Sequence, residues 1–235
     1  MSEVTPLKSV RSDDLDDAPL DPEAPRAADG RVPGRRGRAT RQRLLECTAE
    51  MLTTTSYRDV KVIDIAREAG TSPATFYQYF ADVEAAILVL AEQMAQQGEH
   101  LTEIIASGAW DGEAASDTAL ELVDAFLRFW DEHRAVLRVV DLATDEGDGR
   151  FQKMRVGLLN GITRALAEVT RASQVAGRLP KGIDPMATAG ILVSMLAHVA
   201  AHQYGFEFWG IRTAHLRASM ARQISWGVTG VLPRD

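Results

Sequence analysis

The sequence predicts an all-α protein built from a small N-terminal helix-turn-helix head and a larger C-terminal helical domain. Three observations predict it. Apolar residues recur at helical spacing along most of the 235 residues, and no strand-like alternation flanked by hairpin turns appears. Between Ile63 and Phe80 two short periodic segments meet at a tight turn. A hydrophobic content of 46% supports a substantial core, while the single cysteine, Cys47, allows neither an intrachain disulfide nor a cysteine zinc cluster.

In chain order, the first helix is expected from about Ala39 to Thr54, with Leu44, Leu45, Cys47, Met51 and Leu52 inward and Arg41 and Arg43 outward. In the next helix Ile63, Ala66 and Ala69, with Ile65, make the apolar face and leave Arg67 and Glu68 outside. Gly70 suits the left-handed residue that ends a helix, and Ser72-Pro73 supplies an N-cap and a first-turn proline for the helix that follows. That third helix carries Phe76 and Phe80 four apart as inward anchors. A fourth helix starts at Asp82, a good N-cap, and is expected to run through Ile87, Leu90 and Met94 toward Ile105 as a lever into the second domain. Further helices are expected over Asp117 to His133, Ala135 to Ala143, Phe151 to Ala172, Asp184 to Tyr204 and Thr213 to Val231. The domains are read as 1–37, an acidic leader and Arg-rich arm without fixed structure; 38–82, the head; and 83–235, the helical domain.

The head's layout suits a helix that enters the major groove of DNA while its predecessor crosses the backbone. Charge placement agrees, although the net charge is −7. Arg31, Arg35, Arg36, Arg38, Arg41 and Arg43 cluster before and along the first helix with no intervening acid, whereas the leader carries Asp13, Asp14, Asp16, Asp17, Asp21, Glu23 and Asp29. Basic residues beside such a motif add salt-sensitive affinity for phosphates.

The segment AREAGTSPATFYQYF, within residues 38 to 95, resembles the DNA-binding segment of the TetR family of transcriptional regulators. The resemblance implies that Thr71, Pro73, Ala74 and Gln78 face bases and that Thr75, Tyr77 and Tyr79 reach phosphates. Arg36, Arg38 and Thr40, in the basic stretch, are also expected to contact DNA. It also implies a homodimer on a paired operator, formed by the last two helices. There, Gly190, Ser194, Ala197, Ala200 and Ala201, and Ala218, Ala221, Ser225, Gly227 and Gly230, make small-residue faces that equally suit an internal core. Three positions depart from the family pattern: Val83 replaces a phosphate-binding lysine, Lys61 a Thr or Ser cap, and Ser56 a glycine.

The second domain concentrates bulky side chains, and an effector pocket is expected among Trp110, Phe126, Phe129, Trp130, Leu137, Phe151, Leu158, Met195, His198 and Trp209. The stretch Phe129 to Val136 loosely resembles the branch that includes the mycobacterial ethionamide-activation repressor, which implies a hydrophobic effector. His198 and His202 have metal-compatible spacing but no third ligand at a recognisable interval, so they are read as polar lining and no metal or cofactor is expected. No phosphate loop, nucleophile elbow or paired-carboxylate motif supports catalysis. The reading is a cytoplasmic DNA-binding repressor, not an enzyme and not membrane-bound, released from a double-stranded operator by a small hydrophobic effector. An activator of the same fold, or a carrier of a lipid-like ligand with a weakened head, are the alternatives.

Overall fold

The computed structural model describes residues 34–231. The acidic leader and Arg31 lie outside the described residues. Within them the chain forms ten α-helices and two short 3-10 turns with no strand, as the periodicity predicts.

Helix α1 spans Arg35–Thr54, beginning four residues before the expected start at Ala39. Arginine is a good helix former, so Arg35, Arg36 and Arg38 wind into the first turns rather than forming an extended arm. Leu44, Leu45, Cys47 and Leu52 face inward, and the buried Thr48 hydroxyl donates to Leu44 O at 2.8 Å. Burial pushes the Cys47 thiol pKa up, as befits a small core residue.

After a 3-10 turn at Tyr57–Asp59, helix α2 covers Val62–Glu68 and α3 covers Pro73–Tyr79. The inner row of α2 is Val62, Ile65, Ala66 and Ala69, and Ile63, expected inward, is 58% exposed. At about 100° per residue Ile63 stands some 200° from Ile65, on the opposite face. Gly70 takes φ 66°, and Thr71 N–H closes on Ala66 O at 2.8 Å. Ser72 Oγ accepts from Thr75 N–H at 3.2 Å, and Pro73 fills the first turn.

Helix α4, Val83–Gln97, is capped by Asp82, whose carboxylate accepts from Ala85 N–H at 2.6 Å. It does not continue to Ile105. It bends at Gly98, whose N–H is shared between Met94 O and Ala95 O, and α5 follows over Glu99–Ser107. A Cβ at Gly98 would lie 3.2 Å from the Phe129 ring, so the bend occurs where backbone and ring pack closely.

The body adds α6 (Ala114–Glu132), α7 (Arg134–Asp145), α8 (Gly149–Val175), α9 (Pro185–Phe206) and α10 (Thr213–Thr229). Helix α6 packs on α10, α8 on α9, and α7 on α8, while α4 touches α1, α7 and α8. Leu122, Phe126, Phe151, Leu166, Leu196 and Ile224 fill the shared core. Helix α9 is long and apolar enough to cross a membrane by length and composition, and here it packs against α6, α8 and α10. Part of the small-residue set of the last two helices serves that internal packing, while Ser194 and Ala218 are exposed. Ala197, Ala200, Ala221 and Ser225 are buried within the chain, and a Cβ at Gly227 would sit 3.2 Å from Leu192.

Two glycines separate backbone strain from crowding. Gly70 has φ 66° and open space around its missing Cβ, whereas Gly230 has φ 72° and its Cβ would lie 2.5 Å from Arg178 O. Gly70→Ala is expected to cost about 1 to 2 kcal/mol from the left-handed conformation alone. Gly230→Ala adds a backbone clash to that strain and should shift the denaturant midpoint clearly further; equal midpoints would contradict this packing.

Candidate DNA interface and regulatory cavity

Phe76, fully buried, and Phe80, 3% exposed, pin α3 to the head with their rings 5.4 Å apart. That leaves Pro73, Ala74, Tyr77 and Gln78 exposed on the outer side, with Thr71, Thr75 and Tyr79 half-buried. The Tyr77 ring is braced edge-on by Phe76 at 5.8 Å. Thr75 Oγ1 pairs with Ser72 Oγ at 3.0 Å, so its hydroxyl shares a helix-capping role, and Tyr79 packs partly against the core and Phe80. On α1, Arg36 and Arg38 are exposed, and the Thr40 hydroxyl donates back to Arg36 O at 3.1 Å. Arg41 is not outward as expected. Its guanidinium lies 5.3 Å from the centre of the Phe80 ring, partly desolvated, with its pKa lowered by burial and its buried Nε without a hydrogen-bond partner. It braces α1 against the anchor of α3.

Beside this surface a groove of about 580 Å³ is lined by Tyr57, Arg58, Lys61, Tyr77, Asp82, Val83 and Glu84, among others. Val83, at the first position of α4, is 9% exposed and packs inward. Lys61, an exposed and extended residue, precedes α2 without a side-chain cap, as its replacement of Thr or Ser predicts. The Tyr57 hydroxyl donates to Glu84 Oε1 at 3.1 Å, and burial followed by the Glu84 charge raises its pKa.

The α7–α8 turn meets the same part of the head. Glu146 forms an ion pair with Arg58, and Arg150 Nη1 stands 3.8 Å from Asp82 Oδ2. Arg150 also grips Asp148 through its side chain, at 2.8 Å from Nη2, and its backbone N–H donates to the same carboxylate. Those hydrogen bonds lower the Asp148 pKa to about 2. The turn therefore reaches both the residue that caps α4 and the segment that leads into α2.

In the body, a cavity of about 960 Å³ opens between α7, α8 and α9. Of the ten residues expected to bind an effector, Trp130, Met195 and His198 line it. Phe126, Phe129, Leu137 and Phe151 are instead buried core, at most 4% exposed, because the aromatics of α6 stack inward; the Phe126 and Trp130 rings lie 5.6 Å apart. Trp110 donates its indole N–H to Ile105 O at 2.9 Å and secures the α5–α6 connection. Leu158 sits half-buried at the core's edge, and Trp209, 75% exposed, packs against Phe206 in the turn after α9.

The polar side of the cavity was not anticipated apart from the histidines. Arg138, Asp141 and Asp145 come from α7, Arg155 from α8, and Ser194 and His202 from α9. Their signal is present in the sequence, since 138, 141 and 145 share a helix face opposite the apolar Val136, Val139 and Val140. Arg155 Nε donates to Asp141 at 2.8 Å. The His198 and His202 rings stack with centroids 4.3 Å apart, and His202 Nδ1–H donates to His198 O at 2.8 Å. Among the described residues no group of three or more potential ligands could hold a metal ion.

Comparison with known proteins agrees with this geometry. Residues 44–85 match the family described as bacterial regulatory proteins, tetR family, and residues 101–235 match the tetracyclin repressor-like C-terminal domain. Across 201 residues the chain is 26% identical to the HTH-type transcriptional regulator YdgC of Bacillus subtilis (strain 168), covering 85% of this chain and 96% of that protein. It is 28% identical over 173 residues to the regulator EthR of Mycolicibacterium smegmatis, covering 71% of this chain and 75% of EthR. The crystal structure of FadR from Bacillus subtilis in complex with stearoyl-CoA is similar in fold, with a TM-score of 0.60 at 17% identity, covering 81% of this chain and 98% of that one. With the head matched to one domain of the family and more than half of the chain matched to the other, the chain belongs to the TetR family of bacterial transcriptional regulators.

Proposed function

We propose that the protein is a homodimeric repressor that leaves a pseudo-palindromic operator when a small effector occupies the body cavity. The observation that carries the DNA-binding part is the outer face of α3, where Gln78 and Tyr77 stand exposed over the buried Phe76. Thr71, Pro73, Ala74 and Gln78 are assigned to bases, and Thr75, Tyr77 and Tyr79, with Arg36, Arg38 and Thr40, to the backbone. A paired operator calls for a twofold dimer. The exposed Met186 and Ile191 of α9 and Trp226 of α10, with Ile191 70% exposed, supply an apolar surface for it. An effector with an apolar part fits Trp130, Leu142 and Met195, and the stearoyl-CoA bound by the FadR of similar fold supports that reading.

The first test is fluorescence anisotropy with the duplex flanking the protein's own gene against a scrambled duplex at two salt concentrations. Preference for the flanking duplex supports the reading; tight binding of a hydrophobic ligand with no salt-sensitive duplex binding would move it to a carrier. Base and backbone roles separate by mutation. Gln78→Ala is expected to relax preference at one operator position by about 1 to 3 kcal/mol, whereas Tyr77→Phe weakens all sequences alike; uniform loss for Gln78→Ala would overturn its assignment.

Lys61 and Val83 line one groove with Tyr77, which supports Lys61 as the source of the phosphate contact that Val83 lacks. Lys61→Ala should reduce the slope of log K against log salt by about 0.9. An unchanged slope removes Lys61 from the interface. The α7–α8 turn is the proposed route from cavity to head. Glu146→Ala is therefore expected to narrow the ratio between operator affinities without and with effector, and an unaltered ratio would reject the turn as that route.

A further inference from the structure

We propose that the body cavity selects an amphiphile with an anionic group, a carboxylate or a phosphate, held at the end formed by Arg138, His198 and His202, with its apolar part along Trp130 and Met195. This rests on the effector reading above and specifies its chemistry.

The placement follows from how the helices are pinned. Asp131 accepts from Gln203 Nε2 at 3.0 Å and from the Tyr204 hydroxyl at 3.4 Å, which ties the C-terminal end of α6 to that of α9. Trp130 and His202, each next to a member of that tie, are brought to one end of the cavity, and Arg138 reaches it from the first half of α7. Of the nearby carboxylates, Asp131 is taken by Gln203 and Tyr204, and the two that line the cavity lie further along α7. Asp141 is taken by Arg155, and Asp145 lies seven residues beyond Arg138, about 10 Å along the helix.

That leaves one donor at the first end uncompensated. Arg138 has no hydrogen bond or ion pair among the described residues. His202 spends Nδ1–H on the His198 carbonyl, so its Nε2 accepts in the neutral ring and donates to an anion only as the imidazolium, while neither ring nitrogen of His198 is engaged among the described residues. A neutral ligand that covers this end desolvates the guanidinium without pairing it, and a cationic ligand adds repulsion. Only an anion converts the covering of Arg138 into a charge-assisted hydrogen bond. The apolar wall beside it, with Trp130 stacked on Phe126, excludes a ligand that is nothing but charge.

The test is calorimetric titration of the full chain with dodecanoate, dodecyl phosphate, dodecan-1-ol and dodecyltrimethylammonium, each below its micellar concentration. Dodecanoate or dodecyl phosphate is expected to bind at least about tenfold tighter than the alcohol, the scale of one charge-assisted hydrogen bond. Which of the two binds tighter identifies the group. Arg138→Gln should remove most of that preference, with residual alcohol binding showing that the apolar part of the cavity persists. Equal affinities for acid and alcohol, an undiminished preference in Arg138→Gln, or no binding of any twelve-carbon probe would each overturn the anionic site. Failure here stays distinct from failure of the regulator reading. Release of operator duplex by the alcohol as well as by dodecanoate keeps the regulator and rejects the anionic site, whereas an acid preference lost in Arg138→Gln supports the site even if no duplex is bound.

Discussion

A helix of seven residues has little stability of its own in water, so the reading surface of this protein depends on the burial of Phe76 and Phe80. Those rings fix the rotation of α3 about its axis, and that rotation decides which side chains face outward. Tyr77 and Gln78 point away from the core because their neighbours on either side point in. Arg41 closes the arrangement from α1 by lying over Phe80, at the cost of a partly desolvated guanidinium. Ser72 and Gly70 set where the helix begins, and the phenylalanines set which way it faces.

The contacts that join head to body are of a different kind. Arg58, Glu146, Arg150 and Asp82 are substantially exposed, and pairs of that sort contribute about 0 to 1 kcal/mol each. Weak pairs suit a switch. A coupling of about 1 to 3 kcal/mol changes affinity roughly 5 to 150-fold, so a few marginal contacts formed in one arrangement and lost in another are of the right size. Asp82 matters most among them, because one carboxylate both caps α4 and faces Arg150. A displaced turn alters the field at the start of the helix that carries the head. The bend at Gly98 confines the rigid part of that lever to α4 itself.

The head was legible in the sequence because its chemistry is local. Gly70, Ser72 and Pro73 specify a turn without reference to the rest of the chain, and Phe76 and Phe80 announce an inner face. The body's helices were legible from periodicity, but not what their faces meet. Gly98 sits in the polar stretch Gln96 to His100 of what reads as one continuous helix; that its backbone packs closely against Phe129 where the helix ends involves a residue thirty-one positions away. The aromatics of α6 have the composition of a pocket wall and are core because α10, α5 and α9 pack against that helix. Ala197, Ala200, Ala221 and Ser225 of α9 and α10 likewise pack within the chain, a choice that spacing alone leaves open, while Ser194 and Ala218 stay exposed. Ile63 is the exception that sequence reasoning could have settled, since helical geometry places it opposite Ile65.

Helix α7 is where recognition of an effector and response to it become one problem. Arg138 and Leu142 line the body cavity, and the same two residues border a smaller cleft where α7 meets Leu52, Ser56 and Tyr57 at the end of α1 and the turn before α2. The helix thus has the cavity on one side and the head on the other, with Val136, Leu137, Val139 and Val140 buried between. Packed interiors resist compression, so an occupant that displaces α7 moves what lies behind it rather than being absorbed. The first turn behind it contains Tyr57, bonded to Glu84 in the first turn of α4, and the turn after it contains Glu146, paired with Arg58. Both ends of α7 therefore abut the segment that orients α2 and α3. An effector that engages Arg138 acts on the element whose position the head reads, and it shifts the operator equilibrium only by the difference in its affinity for the two positions of that element.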